Sequence, residues 1–284
     1  MSQIITGLDH IVLVVPEIES GAAVYESLLG RAPVWRAHGE AGEGTAIFRV
    51  ANTSLELMAP AAEGPVADRL REIIEAEGPG LKSLAFATAD IETAHHKLTR
   101  RGMGPHEIVP GESTNTLDGT LRSWKRFRCA DDQTAGVKTF LIQPDTPLPQ
   151  QDTPDSAVVS LDHIVIDTPN PDRALGLYGA RLDLDLALDR NAPQWKTRFL
   201  FFRTGGLTFE VIHRLGETHD AAGPDRIWGL TWEVRDLAAA HARLTDAGFN
   251  VSELRKGRKP GSSVFTVRDG TMGVPTLFIA HEPQ

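Results

Sequence analysis

The sequence predicts an α+β fold of four βαβββ modules arranged as two tandem halves. The first observation is a repeat, because the segment LDHIVL at 8–13 recurs as LDHIVI at 161–166. The second is that SLEL at 54–57 recurs as TFEV at 208–211, almost the same distance along the chain. Two motifs that share one offset are difficult to obtain by chance, so we interpret the halves as a duplication.

Each half divides again into two modules. The segments 84–91 and 230–237 are alike, and each leads into a predicted helix. The segments 136–142 and 273–279 are also alike, and each is typical of a closing strand after a turn that contains glycine. The chain therefore contains four units of roughly 70 residues, each with one strand, one helix and three further strands.

The predicted helices show their boundaries in the sequence. The ranges 91–102 and 237–248 follow an aspartate, carry apolar residues at i and i+4, and close with a glycine. In the first and third modules the equivalent ranges are 16–29 and 171–178, and each is followed directly by a glycine. These four segments predict one helix in each module.

A proline-rich stretch separates the two halves. The range 143–154 contains four prolines, which remove backbone donors and stop helices. We place the domain boundary in this stretch. The predicted domains are an N-terminal domain of residues 1–147 and a C-terminal domain of residues 148–284, with two modules in each.

Composition argues against several classes of protein. The chain has 284 residues, a formal net charge of −9 and a single cysteine. The negative charge disfavours nucleic-acid binding, which needs clustered Lys and Arg. No apolar run approaches the roughly 18 residues of a membrane helix, and the N-terminal segment does not resemble a secretion signal. We expect a cytoplasmic protein with a small-molecule substrate, no nucleic-acid or membrane partner, and a possible homodimer.

A histidine and a glutamate stand out on the predicted strands of the first module. Period-2 alternation places Leu8, His10, Val12 and Val14 on one face of the first strand. Glu56 lies in the middle of the otherwise apolar fourth strand. The third module repeats this arrangement at the same positions.

The acidic members of these pairs are the strongest local signal in the chain. A carboxylate inside an apolar strand is costly unless it is paired or bound to a cation, and here one occurs in each half, as Glu56 and Glu210. A histidine, His10 or His163, accompanies each of them. These four residues are therefore the candidate site residues.

The motifs Asp-His-Ile-Val on the first strand and Leu-Glu-Leu on the fourth resemble the vicinal-oxygen-chelate superfamily. The resemblance covers essentially the whole chain and implies two tandem glyoxalase/dihydroxybiphenyl dioxygenase-like domains. The segments 54–60 and 80–91 are most similar to methylmalonyl-CoA epimerases and glyoxalases, whereas four modules in one chain look more like extradiol dioxygenases.

This resemblance also implies a metal site. His10, Glu56, His163 and Glu210 fall on the superfamily's ligand positions in the odd modules, which implies a divalent metal ion such as Fe²⁺, Mn²⁺, Co²⁺ or Zn²⁺. The even modules depart from the pattern at the equivalent positions, which are occupied by Ser83, Gly229, Phe140 and Leu277. One way to complete the site is for the two odd modules to pool their residues.

Three functions remain open from the sequence. The first is a lyase or isomerase that acts on a small oxygen-rich molecule, with metal-assisted enolate or proton-transfer chemistry and Glu56 or Glu210 as the base. The second is a relative without a metal that binds a small molecule. The third is an extradiol-type ring-cleaving dioxygenase with an altered iron site.

Further side chains are secondary candidates. Asp167 and Glu233 share the inward face of their strands, where each is either a third oxygen donor or, as is more common, a rim carboxylate in water. His281 has the right parity but lies near the chain end. An aromatic wall and an anion clamp are predicted from residues on the middle strands, namely Trp124, Arg126, Trp195, Arg198 and Arg203.

Overall fold

The computed structural model describes residues 3–218 and 220–282, which form two eight-stranded mixed sheets. The first sheet contains β1 (Gly7–Val14), β2 (Trp35–His38), β3 (Glu43–Arg49), β4 (Ser54–Pro60), β5 (Gly80–Ala87), β6 (Val109–Thr114), β7 (Leu121–Arg128) and β8 (Lys138–Pro144). The second contains β9 (Val158–Asp167), β10 (Asp185–Ala192), β11 (Thr197–Thr204), β12 (Leu207–Arg214), β13 (Arg226–Val234), β14 (Arg255–Lys256), β15 (Ser262–Val267) and β16 (Thr276–His281).

The strand order is the same in both sheets. It is β2-β3-β4-β1-β5-β8-β7-β6 in the first and β10-β11-β12-β9-β13-β16-β15-β14 in the second. In each half the opening strands of the two modules, β1 with β5 and β9 with β13, pair antiparallel at the centre. This arrangement confirms the predicted α+β fold of four modules. The boundary at 147/148 lies between the end of β8 and the start of β9.

Five helices accompany the strands of the described chain. They are α1 (Ile18–Leu29), α2 (Pro65–Glu77), α3 (Ile91–Arg100), α4 (Pro171–Ala174, continued by the π-helix Leu175–Arg181) and α5 (Leu237–Asp246). Asp90 and Asp236 cap the first turns of α3 and α5 by accepting a hydrogen bond from a backbone N–H. No helix in the described ranges is long and apolar enough to cross a membrane.

The helix of the third module differs from its prediction. Gly179 was expected to end it, but the π-helix continues to Arg181 because Leu182 N–H donates to the Leu177 carbonyl and so prolongs the turn. Asp183, with φ at 67°, supplies the left-handed residue just beyond the end. Helix α2, between the first two modules, was not predicted at all.

The two sheets pack against each other through one shared hydrophobic core. This core contains Ile11 and Leu57 from the first half and Ile164 and Val211 from the second. The rings of Phe86 and Phe209 stack across it with centroids 5.4 Å apart. We call the opposite side of each sheet its inner face, and the two inner faces therefore lie on opposite sides of the shared core.

A β-bulge corrects the prediction for the first strand. The pairing of β1 with β5 shifts between Leu8 and His10, so Asp9 is the extra residue. Leu8 is consequently buried in the shared core with Ile11, and not on the face of His10 as alternation predicted. The pairing of β9 with β13 shifts in the same way around Asp162. In each half the bulge turns an aspartate toward the inner face beside the histidine.

The inner face of the first sheet is filled by the protein itself. Leu70 of α2 packs on Val12 and Val14. Leu148, from the linker between the halves, packs with Trp35 and Ile47. Among the described residues of the second half, no helix lies at the equivalent place between β12 and β13.

The edges of the first sheet are joined by hydrogen bonds around Asn115. This buried side chain accepts from Arg36 N–H at 3.0 Å and donates to the Val34 carbonyl at 3.3 Å. Thr116 N–H adds a 2.8 Å bond to the Arg36 carbonyl. Edge strands β2 and β6 thus close the sheet on itself. In the second sheet the edges approach through Arg258, whose guanidinium lies 4.6 Å from the centre of the Trp195 ring.

Replacing Asn115 tests this closure. We expect Asn115→Ala to lower the free energy of unfolding by about 1–3 kcal/mol, because it leaves buried backbone groups without partners. Urea denaturation followed by circular dichroism gives this value. Asn191→Ala, on the exposed strand β10, is the control and should change stability by less than about 0.5 kcal/mol. Equal stability of the two variants would contradict the proposed role of Asn115.

Candidate functional site

The first half forms a row of three polar side chains on its inner face. Asp9 Oδ1 lies 2.7 Å from His10 Nδ1, and Glu56 Oε2 lies 3.1 Å from His10 Nε2. The side chains of His10 and Glu56 are only 16% and 18% exposed. Both nitrogens of the imidazole therefore face a carboxylate in a largely buried setting.

The second half repeats this row and adds two groups. Asp162 Oδ1 lies 2.7 Å from His163 Nδ1, and Glu210 Oε2 lies 3.2 Å from His163 Nε2. The Thr231 hydroxyl lies 2.8 Å from the same Nε2 atom, and His281 Nε2 lies 2.6 Å from Asp162 Oδ2. The second row is thus a chain of four groups, from His281 through Asp162 and His163 to Glu210.

The four candidate residues from the sequence form two separate pairs. His10 meets Glu56 and His163 meets Glu210, each on the inner face of its own sheet. Because the shared core lies between the two inner faces, the odd modules do not pool their residues. Each half offers one imidazole and one glutamate.

Sequence reasoning missed both aspartates. Asp9 and Asp162 precede the histidines in the repeated LDHI motif, so the duplication itself was the available signal. Strict alternation assigned them to the opposite face, and a bulge cannot be read from alternation. His281 was set aside because it lies near the chain end, yet β16 holds it against Asp162.

Electrostatics in the first half favour an ion pair. Burial penalises the charge on Asp9, but the hydrogen bond from His10 and the positive charges of His10, Arg122 and Arg49 outweigh it and lower the Asp9 pKa. Burial also opposes charge on His10, and there Glu56 and Asp9 outweigh it, so that the pKa of His10 is raised. The two carboxylates therefore favour the cationic form of His10.

Electrostatics in the second half place the proton differently. Burial raises the pKa of Glu210, and the nearby positive groups His163 and Arg258 offset this only in part. For Asp162 burial is outweighed by hydrogen bonds from His163 and His281, which lower its pKa to about 2. A buried carboxyl with a raised pKa therefore lies beside an imidazole that an ionised aspartate orients.

The predicted divalent metal ion has few donors here. A transition-metal site normally uses three or four protein donors. Each half supplies one imidazole nitrogen and one glutamate, and the second half adds only the Thr231 hydroxyl. Within 3–218 and 220–282, no group of three or more His, Cys, Asp and Glu side chains could hold a metal ion. The residues present do not fit the metal centre that the resemblance implies.

The even-module positions explain this shortage. Ser83 and Phe140 occupy them in the first half, and Gly229 and Leu277 in the second. At Gly229 even a Cβ atom would lie 2.7 Å from the Pro275 carbonyl oxygen, so a longer side chain does not fit without a backbone shift.

A cavity of about 480 Å³ lies beside Asp162 in the second half. Its lining is mostly polar and carries charges of both signs. Thr208 in this lining is the strand-register neighbour of His163, so the cavity adjoins the second row. The lining includes Asp162, Asp185, Arg203, Thr208, Glu233 and Lys259.

The secondary candidates have different positions. Glu233 lines the cavity and accepts a hydrogen bond from the Ser160 hydroxyl. Asp167 lies 3.8 Å from Arg214, and Arg198 forms ion pairs with Asp172 and Asp189.

The predicted aromatic and cationic residues of the middle strands divide between the halves. Arg126 lies over Phe140 in the first half at 5.6 Å. Trp124 lies under Arg122 in the first half, and Trp195 under Arg258 in the second. Of the predicted anion clamp, only Arg203 lines the cavity beside Asp162.

Comparison with known proteins identifies the family. A model described as a glyoxalase-like domain matches residues 8–182, and a model of the glyoxalase/bleomycin resistance protein/dioxygenase superfamily matches residues 162–265. The chain belongs to this superfamily. The match confirms the resemblance to vicinal-oxygen-chelate proteins that the repeated motifs carry.

Several individual proteins are similar to this chain. An ethylmalonyl-CoA/methylmalonyl-CoA epimerase from Cereibacter sphaeroides is 30% identical over 125 residues, which are 42% of this chain and 86% of the relative. A triple mutant of 4-hydroxymandelate synthase from Streptomyces coelicolor superposes with a TM-score of 0.70 at 14% identity, covering 99% of this chain and 94% of that one. A xylose isomerase-like TIM barrel/4-hydroxyphenylpyruvate dioxygenase fusion protein gives a TM-score of 0.65 at 16% identity, covering 100% and 50%. At these identities the likeness to solved structures shows the fold alone.

In the second half the pKa of Asp162 is lowered and that of Glu210 is raised, and these opposite shifts predict opposite effects of pH on stability. Asp162 has a folded pKa of about 2 against an ordinary value of 3.8. Its ionisation therefore stabilises the fold at neutral pH by about 2 kcal/mol, and this contribution falls by about half at pH 3. We expect Asp162→Asn to cost more stability at pH 6 than at pH 3, measured by urea denaturation.

Glu210→Gln is the comparison of opposite sign. Burial raises the pKa of Glu210 in the folded protein. Ionisation of this group therefore lowers the stability of the fold as the pH rises above the pKa of Glu210 in the unfolded chain. We therefore expect the difference in unfolding free energy, Glu210→Gln minus native protein, to be larger at pH 6 than at pH 3. If the stability difference from the native protein changes in the same direction between pH 3 and pH 6 in both variants, the charges assigned to the second row are wrong.

Proposed function

We propose that the chain is an acid/base enzyme of the lyase or isomerase type that moves a proton at carbon in a small oxygen-rich molecule. The reaction takes place in the second half, with Glu210 as the base. One observation carries this proposal: a buried carboxyl with a raised pKa lies 3.2 Å from His163 Nε2, in a row whose Asp162 lines a polar cavity. Buried acids of this kind are typical of proton-transfer sites.

The row assigns a role to each group. Asp162 accepts from the Nδ1–H of His163 and fixes its tautomer, so that Nε2 faces Glu210 and the Thr231 hydroxyl. Glu210 removes a proton from a carbon next to a carbonyl, and the electrons of that C–H bond move onto the carbonyl oxygen. A proton then returns to carbon, either from Glu210, once its acidic proton has exchanged with solvent, or from His163 Nε2, and the carbonyl reforms as the new C–H bond forms. The step needs no oxidant or reductant.

The first half is less suited to this chemistry. Helix α2 and Leu148 fill its inner face, and hydrogen bonds close its edges. The raised pKa of His10 makes its row an ion pair between Asp9, His10 and Glu56. We therefore assign Glu56 and His10 to the stability of the first half and Glu210 and His163 to the reaction.

Hydrogen exchange tests the role of Glu210. The native protein, incubated in D₂O with methylmalonyl-CoA or with small 2-oxo and 2-hydroxy acids, should replace one carbon-bound proton by deuterium, measured by ¹H NMR. We expect Glu210→Gln to lower the exchange rate by about 10²-fold or more, because the base is lost. Glu56→Gln is the matched control from the duplicate half and should keep most of the rate.

Two outcomes would contradict this assignment. If Glu56→Gln abolishes exchange while Glu210→Gln retains it, the reactive half is the first one. If no member of the panel exchanges although the second half binds small molecules, the chain is a binding protein of the superfamily.

Metal removal tests the cofactor. A divalent ion stays a prediction from the family resemblance, and the two donors of each half supply no step of the proposed reaction. We expect purified protein to contain well under one equivalent of Fe, Mn, Co or Zn by elemental analysis, and exchange to survive dialysis against EDTA. Stoichiometric metal that is lost in Glu210→Gln but kept in Glu56→Gln would contradict this expectation and restore a metal-assisted mechanism.

A further inference from the structure

The two halves place equivalent arginines beside their rows. Arg49 on β3 pairs in register with Ser54, and Arg203 on β11 pairs in register with Thr208. Each arginine thus occupies the strand next to the one that carries the glutamate. A second cation adds to the charge near each aspartate, Arg122 in the first half and Lys259 in the second.

In the first half these cations are used inside the protein. Arg122 is 7% exposed and lies 3.7 Å from Asp9, while Arg49 donates to the Ser54 hydroxyl at 3.4 Å. The negative charge of this row is therefore compensated by one buried and one partly buried arginine, and little positive charge is left for a ligand.

In the second half the equivalent cations point into open space. Arg203 and Lys259 are exposed and both line the 480 Å³ cavity beside Asp162. Within the described part of the chain, neither side chain forms a hydrogen bond or an ion pair. His281 has taken over the contact with Asp162, at 2.6 Å. The duplicate row thus leaves two cations available at the cavity.

The acidic side chains of the cavity indicate which other groups the ligand carries. Asp185 and Glu233 also line it and offer only acceptor oxygens at neutral pH. Such acceptors repel a bare anion but bind hydroxyl groups. A ligand that satisfies both signs of charge carries an anionic group for Arg203 and Lys259 and hydroxyl groups for the carboxylates.

We propose that this cavity binds a small hydroxylated anion, with a carboxylate or a phosphate as its charged group. The position of Asp162 and Thr208 in the lining brings such a molecule next to His163. That the bound anion is the substrate rests on the function proposed above, whereas its binding can be measured without turnover.

Isothermal titration with simple probes tests the proposal. The probes are tartrate and glycerol 3-phosphate, which carry both features, succinate, which lacks hydroxyl groups, and glycerol, which lacks charge. We expect tartrate or glycerol 3-phosphate to bind with a Kd of about 1 mM or tighter. Succinate should bind more weakly and glycerol should not bind. The tighter of the two hydroxylated probes shows whether the charged group is a carboxylate or a phosphate.

Variants locate the site. Arg203→Ala and Lys259→Ala should each weaken binding about tenfold, the equivalent of about 1.4 kcal/mol. Lys256→Ala, an exposed lysine on β14 outside the cavity lining, is the matched control and should leave the Kd unchanged. The proposal is overturned if no hydroxylated anion binds, or if both cavity variants bind as tightly as the control.

These results separate the two proposals. Anion binding that persists in a protein without hydrogen exchange would overturn the proposed reaction but not the anion site. Exchange on a neutral substrate, unaffected by Arg203→Ala and Lys259→Ala, would overturn the anion site but not the reaction.

Discussion

One extra residue in the first strand of each half determines the chemistry of the molecule. Without the bulge at Asp9 and at Asp162, strand alternation would turn each aspartate into the shared core, where an isolated carboxylate is very costly. With it, aspartate and histidine both reach the inner face, and the glutamate of the parallel neighbour strand completes the row. The apolar residue before the aspartate remains in the core, so the bulge preserves packing on one side while it builds a polar row on the other.

The sequence predicted the architecture well because repetition, period-2 strands and aspartate-capped helices are local signals. It also paired His10 with Glu56 and His163 with Glu210, since both members of each pair stand at matching places in a repeat. What it missed depends on tertiary contacts. The bulge, the plug formed by Leu70 and Leu148, and the contact of His281 with Asp162 arise from strand register and packing, which a single sequence does not display. Helix α2 was not predicted because it lies between two modules and is not part of the repeated βαβββ pattern.

The same row of aspartate, histidine and glutamate occurs in both halves, but its surroundings differ. In the first half, Arg122 compensates Asp9 and a helix covers the inner face, so the row acts as a buried polar network that stabilises one arrangement of strands. In the second half, His281 contacts Asp162, no helix of the described residues lies between β12 and β13, and Arg203 and Lys259 line a cavity. The difference lies outside the motifs, which explains why the motifs alone could not distinguish the two halves.

The superfamily resemblance implied that a metal ion balances the negative charge of the glutamates. The donor groups of each half do not fit a metal ion, so this charge is balanced in another way. A glutamate on an apolar strand needs either a nearby cation or a proton. In the first half the imidazole supplies the cation, which is why the pKa of His10 is raised. In the second half the nearby positive charges offset burial only in part, which is why the pKa of Glu210 is raised. A buried carboxyl with a raised pKa is a candidate acid or base, and this difference supports the proposal that the reaction takes place beside Glu210.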